Sequence, residues 1–394
     1  MKTTWNQHIV KKNNKALVLQ TIIEQAPVSR ADVALSLGLN KGTVSSLVNE
    51  LIHEELVFES GPGESSGGRR PVLLLFNREA AYSIGIDIGV NYLLGLLTDL
   101  QGNIIQRAHL DYDDLPCQEI IQLVKEMIRS LLAQAPSSPY GVVGIGIGVP
   151  GIVDMEGKVL LAPNLGWKNV QLKTEIEREF QLPVIIDNEA NAGAYGEMRF
   201  GAGKETDNLV YISAGIGIGV GMILQGSLYR GSNGFSGELG HMVIESNGKE
   251  CRCGSKGCWE LYASEQALLK EARSSALLPS SGKELSLEKL IQFAHAQDQA
   301  TIQLFDKIGF YLGIGINNIL NGLNPQTVII GNRLALAHQW LGKPIEQVIR
   351  SQTLSFHQEH VQLKFSDLSY YSTALGIAAF SAENFLTQDQ SSKS

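Results

Sequence analysis

Over the first fifty residues the apolar positions recur every three to four residues, and after residue 80 they come in short, dense runs. Val44, Leu47, Val48 and Leu51 stand at i, i+3, i+4 and i+7, one stripe along a helix. That spacing predicts a helix opened by Asn40, a residue suited to cap it. Gly42, Ser45, Ser46, Asn49 and His53 then fall on the opposite face, with Lys41 and Thr43 at its N-terminal end. Upstream, Lys15–Gln25 reads as a helix with Leu17, Ile22 and Ile23 in its core, closed by Pro27. Ser29-Arg30-Ala31-Asp32 has the form of a capping box for a short helix through Leu37, and Gly38 supplies the turn. Leu56-Val57-Phe58 and Val72–Phe76 read as two strands joined by a Gly- and Ser-rich tip ending in Arg69-Arg70-Pro71.

Three helices and a hairpin with a basic tip make a winged helix-turn-helix. An ordinary three-helix bundle with a solvated face would show the same helices, and it is the hairpin that favours the DNA-reading form. On that reading Lys41, Gly42, Thr43, Ser45, Ser46 and Asn49 face a major groove, where small hydrogen-bonding side chains reach base edges. Arg69 and Arg70 reach phosphates or a narrow minor groove. Glu54, Glu55, Glu59 and Glu64 are expected to turn away from the duplex.

Beyond Tyr82 the pattern predicts a strand meander, Ile84–Val90, Leu93–Thr98 and Ile104–Leu110, then a helix from Gln118 to Gln134 and a strand Gly141–Val149. Gly144, Gly146 and Gly148 alternate within that last strand and so share a face. A dinucleotide fingerprint needs its glycines in a turn before a helix, so close backbone packing is the better account of them. Strands follow at Val184–Ile186, Leu209–Ser213, Gly219–Leu224 and Thr327–Gly331. Helices are expected after Asn191 to Phe200, over Leu261–Arg273 and Gln299–Leu323, and at Thr373–Phe385. Two similar blocks of meander and helix predict an α/β body of two lobes around a cleft.

Charge sharpens this division. The chain of 394 residues carries a net charge of −8, but residues 1–78 hold nine Lys and Arg against seven Asp and Glu, so the remainder carries −10. DNA contact is therefore expected at the start of the chain alone. Met1–Val10 has no apolar core of a signal peptide, and the longest apolar run, Val72–Phe76, is far short of a membrane span. Four cysteines, three of them clustered, fit a reducing cytoplasm.

That cluster is the strongest chemical signal. His241, Cys251, Cys253 and Cys258 fall within eighteen residues, on a polar, glycine-bearing loop. Three thiolates and an imidazole suit a tetrahedral structural Zn²⁺ site with every position filled by protein. A disulfide fits less well, since neighbours as close as Cys251 and Cys253 rarely bridge.

Glu238-Leu239-Gly240-His241 and Cys251-Arg252-Cys253-Gly254-Ser255-Lys256-Gly257-Cys258-Trp259-Glu260 closely resemble the signature of the ROK family of repressors, open reading frames and sugar kinases. Pro163-Asn164-Leu165-Gly166-Trp167 and Asn188-Glu189-Ala190-Asn191 resemble two further motifs of that family. The resemblance implies an actin-like, ribonuclease-H-like pair of lobes, with Asn164, Asn188, Glu189, Glu238, His241 and Glu260 facing a sugar. It also implies that His241 serves metal and sugar together, one ring nitrogen for each. Trp167 either lies beside the sugar ring or packs its loop. The expected organisation is a DNA-binding domain over residues 1–80 and a first lobe over 81–190, joined by a C-terminal helix at about 370–388. A second lobe with the zinc loop is expected over 191–369.

Family kinases carry Asp where this chain has Glu189, Asp-x-Gly-Gly-Thr where it has Asp87-Ile88-Gly89-Val90-Asn91, and usually Gly-Thr-Gly near Gly215-Ile216-Gly217. A branched side chain at Val90 stands where phosphate must approach backbone. These departures favour a sugar-responsive repressor that is not an enzyme over an ATP-dependent sugar kinase with an added DNA-binding arm. Asn40–Ser46, Ser65–Pro71, Asn188–Glu197 and Cys258–Glu265 most resemble the xylose-responsive repressors of the family, which implies D-xylose as effector. A winged helix reading a palindromic operator needs two copies, so a homodimer or higher assembly is expected.

Overall fold

The structure, a computed structural model, describes residues 7–62, 72–274 and 285–387. The basic tip, with Glu64, Arg69 and Arg70, lies outside the described residues.

The N-terminal unit comprises α1 (Gln7–Gln25), β1 (Val28–Ser29), α2 (Arg30–Leu37), α3 (Lys41–His53), β2 (Val57–Pro62) and β3 (Val72–Phe76). The expected caps are made. Ser29 Oγ accepts from the Asp32 N–H at 3.2 Å, Asn40 Oδ1 accepts from the Gly42 N–H at 2.8 Å, and Gly38 ends α2 at φ 62°. Val44, Leu47, Val48 and Leu51 are all buried, as their spacing requires. α1 starts eight residues earlier than expected, because no breaker interrupts its polar first turns. Leu17 corrects the expected core: it is 50% exposed, while Val18, Leu19 and Ile22 fill the interior. The two-residue β1 pairs with β3, giving the sheet order β1-β3-β2.

The body begins with β4 (Tyr82–Ile88), β5 (Tyr92–Asp99), β6 (Ile104–Asp111), α4 (Cys117–Ala133) and β7 (Val142–Val149). A small sheet of β8 (Ile152–Val153), β9 (Val159–Ala162) and β10 (Trp167–Val170) follows, then α5 (Leu172–Phe180), β11 (Val184–Asn188) and α6 (Glu189–Phe200). The next block runs β12 (Leu209–Ala214), β13 (Ile218–Leu224), β14 (Ser227–Leu228), α7 (Glu260–Ala263), α8 (Glu265–Ser274), α9 (Leu287–His295) and α10 (Gln299–Leu323). β15 (Thr327–Gly331), α11 (His338–Gln352), α12 (Ser355–Gln358), β16 (Gln362–Phe365) and α13 (Ser372–Thr387) complete it.

The two large sheets repeat one plan. In the first, β4, β5 and β6 form an antiparallel meander, and β7 and β11 add parallel strands beside β4. In the second, β12, β13 and β14 form the meander, and β15 and β16 add parallel strands beside β12. α13 packs on β4 and β7, α6 packs on β12 and β13, and the two helices meet between the sheets. Glycines permit that contact. A Cβ on Gly376 would sit 1.8 Å from the Ala192 carbonyl oxygen, and one on Gly146 would sit 2.2 Å from that of Ile377. Gly144 and Gly148 face Ser381 and Thr373 of the same helix. The alternating glycines of β7 thus form the bed of α13.

Candidate sugar cleft and metal cluster

Between the two sheets lies a cleft with about 920 Å³ of empty space, partly open to solvent. All six residues expected to face a sugar line it: Asn164, Asn188, Glu189, Glu238, His241 and Glu260. They come from far-apart segments. Asn164 sits in the short turn between β9 and β10, Asn188 and Glu189 at the β11–α6 junction, Glu238 and His241 in a 3-10 turn, and Glu260 at the start of α7.

Asn188 is partly committed within the protein. Its Oδ1 caps α6, accepting from the Ala190 and Asn191 N–H groups at 2.8 and 3.2 Å, and its Nδ2 donates to the Gly151 carbonyl at 3.0 Å. Trp167 is buried in the core formed by the first sheet with α4 and α5 and does not line the cleft, so it packs its loop.

Glu189 and Asp87 share the floor. Burial, reinforced by Asp87 and Glu238, pushes Glu189 up to about 8. Burial also raises Asp87 to about 7, against the opposing hydrogen bond from Tyr92. Tyr92 Oη donates to Asp87 Oδ2 at 2.8 Å. Asp87 Oδ1 and Glu189 Oε2 are buried with no hydrogen-bond partner among the described residues. Buried polar atoms in folded proteins are nearly always paired, so these two oxygens are suited to ligand hydroxyls, accepting when ionised and donating when protonated. The segments with altered phosphate-loop motifs border the same space: Gly89 and Val90 on one side, Gly215, Ile216 and Gly217 on the other. Neither side chain, valine or isoleucine, adds a donor for phosphate, and the Tyr92 ring fills the space beside Gly89, 2.1 Å from where a Cβ would stand.

The ligand atoms of His241, Cys251, Cys253 and Cys258 all lie within 4.8 Å of one another. Cys251 Sγ is 3.6 Å from His241 Nδ1, and Cys253 Sγ is 3.6 Å from Cys258 Sγ. A tetrahedral ion with Zn–S near 2.3 Å and Zn–N near 2.0 Å would have ligand–ligand edges of about 3.5–3.8 Å, which these two pairs match, so the donor set fits zinc once the wider pairs draw in around the ion. Burial, then hydrogen bonds that the Cys258 thiol makes with Cys251 and Cys253, push it up to about 12, so a divalent cation is what would let these crowded sulfurs ionise together. The loop is held by its backbone. A Cβ on Gly257 would lie 1.7 Å from the Glu245 carbonyl oxygen, and Trp259 Nε1 donates to the Tyr311 carbonyl at 2.8 Å, tying the loop to α10. With Nδ1 toward Cys251, His241 turns Nε2 toward the cleft, 3.9 Å from Glu238 Oε2.

On the N-terminal unit, Lys41, Gly42, Thr43, Ser46 and Asn49 are exposed and Ser45 is half-buried. Arg30, which the sequence did not single out, donates from Nη2 to Asn49 Oδ1 at 2.8 Å and pairs through Nη1 with Glu59. Glu54 pairs with Lys15, and Glu59 stands beside the α3 face through its pair with Arg30. An Arg30–Glu59 pair leaves no periodic trace in sequence, since its members are 29 residues apart.

A chain with two matched sheets, a polar cleft between them and a His-Cys₃ loop beside it belongs to the ROK family, whose model matches residues 83–384. It is 46% identical over 383 residues to the xylose repressor of Bacillus subtilis (strain 168), covering 97% of this chain and 98% of that protein. Among solved structures, a ROK family transcriptional regulator, a homolog of the E. coli MLC protein, superposes with a TM-score of 0.81 at 30% identity, covering 96% of this chain and 97% of that one. A ROK family glucokinase from Streptomyces griseus, in complex with glucose and AMPPNP, superposes with a TM-score of 0.69 at 27% identity, covering 76% of this chain and 98% of that one.

Proposed function

We propose that this protein is a sugar-responsive transcriptional repressor that binds a palindromic operator as a homodimer or higher assembly and is released by D-xylose. In this reading residues 1–80 are the DNA-binding domain. Lys41, Gly42, Thr43, Ser45, Ser46 and Asn49 meet base edges and backbone in a major groove, and Arg69 and Arg70 meet phosphates. The first lobe spans 81–190 with the C-terminal helix, and the second spans 191–369. Asn164, Asn188, Glu189, Glu238, His241 and Glu260 bind the sugar between them. His241, Cys251, Cys253 and Cys258 hold a structural Zn²⁺ that fixes the imidazole for its sugar contact. The protein acts in the cytoplasm.

The observation that carries the reading is the joining, in one chain, of an exposed polar helix face on a helix–hairpin unit to a cleft whose phosphate-facing loops carry Val90 and Ile216. High identity to a xylose repressor along almost the whole chain supports it and is the ground for naming D-xylose. The protein does not phosphorylate sugar in this account, because phosphoryl transfer rests on backbone amides placed against the phosphates. A coupled ATP-consumption assay over a panel including D-xylose and D-glucose tests this. No sugar-dependent turnover is expected, and turnover on any of them would establish the kinase instead.

A further inference from the structure

Arg230 belongs to none of the sequence motifs, yet it ties three parts of the fold together. It follows β14, on the edge hairpin of the second sheet. Its guanidinium crosses to the first sheet, where Nε and Nη2 donate to Asp187 Oδ2 at 3.0 and 2.7 Å. The same guanidinium lies over the Phe380 ring of α13, 5.2 Å from its centroid. A planar fork serves both contacts at once, which a lysine ammonium does not.

Asp187 is buried near the end of β11, and its other oxygen accepts from the Asn188 N–H at 2.8 Å and from Asn191 Nδ2 at 3.1 Å. These two asparagines open α6, so the carboxylate fixes the turn from which Glu189 enters the cleft. Phe380 in turn packs on Tyr195 of α6, with ring centroids 4.4 Å apart. At one end of α13, Thr373 Oγ1 donates to the Glu189 carbonyl at 3.1 Å. At the other, Ala382 and Phe385 share a core cluster with α1, α3 and the hairpin.

Resting on the repressor reading above, we infer that Arg230 is a positioning residue for the sugar response. It sets the β11–α6 turn for the ligand and, through Phe380, couples the state of the cleft to the helix that ends in the DNA-binding unit. Coupling requires that sugar favour one arrangement of this junction over another, and any shift of one sheet against the other must alter a contact that joins both sheets and α13.

The test uses full-length wild type, Arg230→Lys and Phe380→Leu. The readout is the coupling factor, the operator Kd at saturating D-xylose divided by the operator Kd without sugar, with saturation verified by calorimetry for each variant. Both variants are expected to hold the operator as wild type does without sugar, and to lose at least about fivefold of the coupling factor. A purely structural role would lower Tm and leave the coupling factor at its wild-type value, and that result overturns the assignment. Should Arg230→Lys fail to fold, Phe380→Leu, which keeps the Arg230–Asp187 pair but loses the ring's contacts with Arg230 and Tyr195, tests the α13 limb, and an unchanged coupling factor there overturns the assignment. A wild type that holds the operator at saturating D-xylose contradicts the repressor reading and this assignment with it. Release by wild type and both variants alike contradicts the assignment only.

Discussion

Glu189 concentrates the chemistry of the cleft. It opens α6, sits beside Asp87, and keeps one oxygen buried without a partner among the described residues. Its carboxyl is raised to about 8 and that of Asp87 to about 7, both above the value of about 4 expected in an unfolded chain. The folded protein therefore binds more protons than the unfolded chain in that window. The associated stability is full below pH 4 and is lost as pH rises through 7 and 8. Thermal melts of the sugar-free protein should show Tm falling from about pH 5.5 to about pH 8.5, with a shallower fall for Glu189→Gln. Equal slopes for the two proteins would show that this carboxyl is ionised in both states. The cysteine cluster makes a second demand on single residues. One zinc per chain is expected by metal analysis. Cys253→Ser or chelation should lower Tm, because the energy of binding metal is part of the folding energy of the loop that holds it. A metal-free preparation melting at the same temperature as the native one would remove zinc from the account.

At the scale of elements, the proposed function makes α3 and its surroundings the part that reads DNA. Ser46→Ala and Asn49→Ala are each expected to reduce the preference for operator over random DNA by about 1–3 kcal/mol, the usual worth of a base-edge contact. Competition binding at fixed salt measures this, and an unchanged preference in both variants would mean that another face of the helix meets the bases. Asn49 already accepts from Arg30, so on the proposed reading a base at Asn49 would compete with, or use, that arginine. Such elements were legible where a local rule decides them. The i, i+3, i+4, i+7 stripe marks α3, the cap at Ser29 marks α2, and the alternating glycines of β7 mark a close backbone approach, whose partner, α13, only the fold reveals. Left out of the expected elements are β1, the small sheet β8–β10, α5, β14, α9, α11, α12 and β16. Of these, β1 and β14 are only two residues each, whereas α9 and α11 do carry a helical period, at Leu287, Leu290 and Ala294 and at Leu341, Ile345, Val348 and Ile349. The stretch expected as one helix over Leu261–Arg273 divides at Ser264 into α7 and α8, with the Ser264 Oγ accepting from the Ala267 N–H.

At the scale of the whole molecule, the two sheets bring together residues that sequence holds far apart. The cleft residues were readable from motifs because each motif is local. Arg230 and its partner Asp187 are 43 residues apart and obey no period, so only the folded chain reveals their pairing. The same architecture makes the central claim testable as a linkage. If sugar loosens the operator through its preference for one state of the cleft, the operator must weaken sugar by the same factor. The decisive measurement is a calorimetric titration of D-xylose into the free protein and into its saturated operator complex. The account predicts weaker sugar binding in the complex, by the same factor as saturating D-xylose raises the operator Kd, of roughly 5–150-fold. Equal sugar affinity in the two titrations would contradict it.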